Sequence, residues 1–176
     1  MPAPLSTAAY RAEHLGALHQ AAGFYRTLSF RDAVEYAASA AGPHGNIHRS
    51  QRRVGVRRLR RSAKLLLKRL EDLYQARSFA DLFQVTESVR QDIRGLGDCW
   101  SYDTALRIAF HLGHAFYPQA VFLMRANHGG IRKLFTRKPM KGSTLPVDIF
   151  PKELQKFKAY ELEDFMRVWG RGNKNG

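Results

Sequence analysis

The residues best suited to chemistry in this sequence are its arginines. Between His48 and Leu70 stand Arg49, Arg52, Arg53, Arg57, Arg58, Arg60, Arg61, Lys64, Lys68 and Arg69, with no acid among them. A guanidinium keeps its charge at any physiological pH, and its planar fork donates two bonds to one phosphate or carboxylate. Such a run fits a ligand that presents several anionic groups in succession, and each phosphate neutralised on it releases counterions, so binding weakens with salt. Phosphate contacts carry no sequence code. Apart from Asn46 and Gln51, no amide side chain near the run is placed to read adenine, so recognition by shape or charge is expected rather than base readout.

Other reactive types are sparse. His111 and His114 lie three apart, with His128 farther on, but Gly113 stands between the first two and no carboxylate sits at ligand spacing, a poor zinc set. Tyr102 and Asp103 could form an acid–base pair. The same residues also suit a capping role or an Asp103–Arg107 ion pair at i, i+4. Cys99 is the one cysteine, which excludes an intrachain disulfide and a cysteine-based zinc site and fits a reducing, cytoplasmic setting. There is no Walker loop, no HExxH and no nucleophile elbow. No catalytic residue, metal or cofactor is expected. Trp100, Tyr102, Phe110, Phe116 and Tyr117 could stack on bases; spacing assigns Phe110 and Phe116 to the core and leaves Trp100 open.

The elements that must position these residues read as helices. Ala8, Leu15, Leu18 and Ala22 recur at helical spacing over 7–21, with Gly23 as a stop. Ser29 caps a second helix that carries Asp32 in its first turn and ends near Gly42-Pro43. After a turn over 44–50, Val56, Leu59, Ala63, Leu66, Leu70 and Leu73 step by three and four, forming one apolar stripe that leaves most of the cations outward. Ser78 with Asp81 caps the next helix, which runs to Ile93. Ser101 to Leu112 forms another, ended by Gly113. Beyond Pro118 the order is weaker: a short apolar run over 120–124, a turn over 127–130, a helical turn over 131–135 and a second basic cluster of Arg132, Lys133, Arg137, Lys138 and Lys141. Pro151 suits a helix start, and 161–169 a short helix. The reading is an all-α compact bundle of six to eight helices in one domain, residues 1–169, followed by a disordered tail over 170–176.

Composition agrees with a folded, cationic chain. The 176 residues are 44% apolar and hold 29 Lys and Arg against 15 Asp and Glu, a formal charge of +14. Apolar content of that size supports a core, while the charge imbalance is relieved by a polyanion. No run approaches the ~18 apolar residues of a membrane span. The basic amphipathic helix carries no Trp or Phe anchor on its apolar stripe, which favours core packing over lipid binding.

The string Ile93-Arg94-Gly95-Leu96-Gly97, between one helix and the next, resembles the helix-hairpin-helix motif. That resemblance implies a backbone grip on DNA at Gly95, Leu96 and Gly97, with the following helix N-terminus offering free N–H groups. The longer pattern, continuing through Tyr102-Asp103-Thr104-Ala105-Leu106-Arg107-Ile108, is similar to a family of small bacterial proteins, a likeness that implies a shared fold and supplies no activity. Many base-excision glycosylases are built on the same hairpin. Their aspartate, one helix and a turn beyond it, has no counterpart here, because 114–128 contains no acid. The expectation is a non-catalytic nucleic-acid binder, DNA favoured over RNA, that uses Arg49, Arg52, Arg53, Arg57, Arg58, Arg60, Arg61, Lys64, Lys68, Arg132 and Lys133 with the glycine turn. The alternative is a basic subunit docking on an acidic protein partner.

Overall fold

The computed structural model describes residues 6–43, 45–135 and 144–171. His44, Arg137, Lys138, Lys141, the tail from 172 and the side chain of Arg49 lie outside the described residues. Helices dominate what is described, with one small two-stranded sheet, so the chain is all-α. The span read as one domain comprises two compact units, residues 20–117 and residues 1–19 with 118–176.

The first helical stretch comprises α1 (Thr7–Tyr10), a π-helical turn Arg11–Leu15 and α2 (Gly16–Thr27). Gly23 is therefore inside α2 and not its stop. In a helix a glycine costs only about 1 kcal/mol, and a Cβ there would meet nothing within 4 Å. The division between the units falls after His19, within α2.

In the unit of residues 20–117, α3 (Phe30–Ser39) starts where Ser29 Oγ accepts from the Asp32 N–H at 3.1 Å. Its alanines, Ala33, Ala37 and Ala38, are fully buried and let neighbouring helices approach closely. The carbonyls at the end of a helix lack intrahelical partners, and here they are met from elsewhere in the unit. Trp100 Nε1 donates to Ala38 O at 2.9 Å, Ser62 Oγ donates to the same oxygen at 3.2 Å, and Arg107 Nη1 donates to Ala37 O at 3.3 Å. Arg107 thus brings a cation to the negative end of the α3 dipole.

Then come a 3-10 segment Arg49–Val54, α4 (Val56–Leu67), α5 (Leu70–Tyr74), α6 (Phe79–Gln91) and α7 (Asp98–Leu112). The Arg-rich run is not one helix. Gly55 takes φ 88°, a conformation that L side chains rarely adopt, and separates Arg52 and Arg53 from α4. Leu59, Ala63, Leu66 and Leu73 are buried as the stripe requires, whereas Val56, in the exposed first turn, is 47% accessible. Ser78 Oγ accepts from the Asp81 N–H at 3.2 Å, and α6 ends two residues before Ile93. α7 is buried from Trp100 to Phe110 and stops at Gly113, with φ 101°.

In the other unit, β1 (Ala120–Phe122) pairs antiparallel with β2 (Thr144–Pro146), in the stretch where no strand was expected. α8 (His128–Leu134) packs on α9 (Ala159–Arg171). Gly130 makes that approach possible: a Cβ on it would lie 2.4 Å from Met166 O. Pro151 opens a run of turns, and α9 begins only at Ala159, where Glu161 Oε2 accepts from the Lys158 N–H at 2.9 Å. Because α9 extends through Arg171, Gly170 belongs to a helix and not to a disordered tail. Tyr10, Leu162, Phe165 and Met166 are central to the core. Burial, and then the Asp164 carboxylate that accepts from the Tyr10 hydroxyl at 2.8 Å, push the Tyr10 phenol far above its ordinary pKa.

Candidate functional site

α4 gathers the strongest charge in the chain. Its inward residues Leu59, Ser62, Ala63 and Leu66 are buried, so Arg57, Arg60, Arg61 and Lys64 must project outward, at spacings of three and four. With Val56 these four line an open depression of about 570 Å³. From Arg57 to Lys64 the helix rises about 10 Å at ~1.5 Å per residue, so the cations form one short stripe. Lys68 follows at the end of the helix, exposed.

Elsewhere in the chain cations are paired. Arg69 pairs with Asp72 at 3.0 Å, Arg90 with Glu87 and Arg167 with Glu163, and the Glu87 carboxylate raises the pKa of Arg90. Among the described residues no acid pairs with Arg52, Arg53, Arg57, Arg60, Arg61, Lys64 or Lys68. Arg57 also lies in the first turn of α4, at the positive end of the helix dipole, and Gly55 supplies no side-chain cap there. A surface of this kind is self-repelling in isolation and is stabilised by an anion.

Arg58 is used differently. Its Nη1 donates to Val54 O at 3.1 Å, and its guanidinium covers the turn between α6 and α7: a Cβ on Gly95 would lie 3.0 Å from Arg58 Nε. The basic helix and the glycine turn, read separately from the sequence, are thereby adjacent. Gly95 has φ 97°, and Gly95 and Gly97 are exposed. Leu96 is buried and its N–H is bonded to Ile93 O at 3.2 Å. At the start of α7 the Asp98 carboxylate accepts from the Cys99 N–H at 2.8 Å.

The 3-10 segment exposes Arg52 and Arg53 and buries Gln51. Gln51 Nε2 donates to Asp103 Oδ2 at 2.9 Å, and Ser50 Oγ donates to the same oxygen at 3.2 Å. The amide considered for adenine recognition is thus turned inward, while Asn46 stays exposed in a loop. Asp103 and Arg107 are both buried. Close by, burial raises the pKa of Tyr25, the Arg107 charge lowers it and Asp103 raises it again.

Among the aromatic candidates, Trp100 and Tyr102 are fully buried and Phe110 and Tyr117 nearly so. Among the described residues the one large exposed aromatic is Tyr74, 73% accessible, which meets Phe30 edge-on beside the acids Glu71 and Asp72. His111 Nδ1 lies 3.1 Å from Tyr25 O, and the His114 ring lies 4.8 Å from that of Tyr117. Among the described residues no three His, Cys, Asp or Glu gather to hold a metal, and no helix is long and apolar enough to cross a membrane. In the other unit Arg132 and Lys133 are exposed, and Lys133 Nζ donates to Trp169 O at 2.7 Å.

Sequence reasoning missed the Gln51–Asp103 and Arg58–Gly95 contacts. They join residues far apart in the chain through the packing of several helices, and no local pattern encodes them. Comparison with known protein families, with curated proteins and with solved structures finds no match.

Proposed function

We propose that this chain is a non-catalytic, largely sequence-independent nucleic-acid-binding protein, with DNA the favoured ligand. It holds phosphates with Arg52, Arg53, Arg57, Arg60, Arg61 and Lys64. The observation that carries this reading is the exposed stripe of cations on α4, which no acid among the described residues neutralises although cations elsewhere in the chain are paired. Arginine predominates in the stripe, as bidentate phosphate contacts favour. No aromatic among the described residues is exposed on the α4 stripe to stack on bases, and Gln51 is turned away, so contacts run to the backbone of a duplex rather than to bases. Arg58 and the exposed Gly95 and Gly97 extend the surface.

One observation favours a second reading. Val56 is exposed among the cations, as an apolar contact within a basic rim would be, and an acidic protein would suit such a patch. Fluorescence anisotropy separates the two. The chain is titrated into labelled duplex, single-stranded and branched DNA and an RNA hairpin across a salt series. Tight, salt-steep binding led by duplex DNA is the expected result. Absence of binding up to about 100 µM protein at about 100 mM salt refutes the nucleic-acid reading, since non-specific complexes form over roughly 1–100 µM.

A further inference from the structure

The buried carboxylate of Asp103 has no part in contacting a ligand, yet it meets the segment that carries Arg52 and Arg53 just before α4. We infer that Asp103 is a positioning residue for phosphate binding: it fixes the Arg52–Arg53 arm beside the Arg57, Arg60, Arg61 and Lys64 face, across the bend at Gly55. This rests on the phosphate-binding reading and adds how the site is held in shape.

The arm cannot support itself. A six-residue 3-10 segment has weak hydrogen-bond geometry, and this one exposes Arg52 and Arg53 in its last turn and buries Gln51 at 2% accessibility. Two cations next to the four of α4 repel them, so an unanchored arm would swing away through Gly55, whose positive φ already bends the chain. Two ties oppose this. Gln51 and Ser50 both donate to Asp103 Oδ2, and Arg58 Nη1 donates to Val54 O. Asp103 belongs to the part of α7 that is buried from Trp100 to Phe110, so its carboxylate is a rigid anchor. A site whose cations are held in place before binding loses less freedom on binding.

The test compares wild type, Asp103→Ala and Gln51→Met, with circular dichroism to verify folding; if Asp103→Ala fails to fold, Gln51→Met carries the test. Hydrogen exchange over 50–54 is measured without ligand, and anisotropy is measured with a fluorescein-labelled mixed-sequence duplex across a salt series. We expect exchange over 50–54 to quicken at least about tenfold while α4 and α7 are unchanged. The log–log salt slope should shrink by about 1.8, the share of two phosphates at ~0.9 each. Adding Arg52→Ala and Arg53→Ala to Asp103→Ala should shrink it no further, whereas adding Arg57→Ala and Arg60→Ala should remove about another 1.8.

Unchanged exchange overturns the anchoring. Quickened exchange with an unchanged slope overturns the link to binding, as do additive losses between Asp103→Ala and the Arg52, Arg53 pair. A wild type that ignores duplex DNA refutes the nucleic-acid reading and the binding half of this inference, and the exchange measurement still decides the anchoring half.

Discussion

Replacing Arg57, Arg60, Arg61 and Lys64 together with alanine removes the four-cation stripe of α4, keeps Arg58 on the Gly95 turn and leaves the inward Leu59, Ala63 and Leu66 packing untouched. Alanine suits a helix, and removing Arg57 from the first turn relieves an unfavourable charge at the dipole's positive end. Thermal stability should therefore hold or rise slightly. Binding should collapse. If six phosphates are engaged at about 0.9 each, the wild-type slope should be about −5.4, and raising salt from about 50 to 200 mM should weaken binding roughly 2,000-fold. With only Arg52 and Arg53 left, the slope falls to about −1.8 and the same change in salt costs roughly 12-fold. At about 0.1 M salt the four lost contacts amount to about 3.6 log units, or about 5 kcal/mol. Anisotropy titrations of both proteins against one mixed-sequence duplex read these slopes directly. A variant whose slope stays within about 1 of the wild type would refute the assignment of phosphate contacts to α4.

Other expectations concern the fold. Gly130→Ala forces a methyl against the Met166 carbonyl and should destabilise the chain by about 3 kcal/mol or more, read as a lower melting temperature in calorimetry. Ser78→Ala removes the acceptor for the Asp81 N–H at the start of α6 and should cost about 1 kcal/mol in urea unfolding. Asp81 itself accepts from the Arg77 N–H at 2.9 Å, which, with Ser78, holds its carboxyl below the ordinary value of 3.8. A lowered folded-state pKa contributes stability that is present above the unfolded value and is lost as pH falls through the folded one. Asp81→Asn should therefore narrow the stability gap between neutral pH and pH below the usual carboxylate range, and an unchanged gap in urea melts would contradict the contact. Gly95→Ala must place a side chain at φ 97° against Arg58, and should lower stability by about 1 kcal/mol or more in the same melts.

Much of the helical content could be read along the chain because local chemistry encodes it. Ser29 with Asp32 and Ser78 with Asp81 mark helix starts by a hydroxyl within reach of an N–H, and the structure holds both contacts. Gly113 marks a stop by its positive φ. The apolar stripe of α4 was visible as period, but Gly55 was not visible as a bend: the chain on either side of it is held from elsewhere, Gln51 by Asp103 and Arg58 against Gly95. Gly23 misled for the converse reason, since an unstrained glycine continues a helix. β1 and β2 are three residues each and lack enough length to show alternation, so their pairing depends on partners more than twenty positions apart. Of the candidate site, the cations were plain from composition. Their exposure, the inward turn of Gln51 and the seating of Arg58 on Gly95 arise only from packing.

Whether the α4 stripe and the Arg52–Arg53 arm contact the ligand is read most directly by side-chain Nε–Hε NMR of the arginines during titration with a mixed-sequence DNA duplex. Resonances of Arg52, Arg53, Arg57, Arg60 and Arg61 should shift together while the paired Arg69, Arg90 and Arg167 stay in place. Shifts confined to other arginines, or none at duplex concentrations well above the protein's, would contradict such contact.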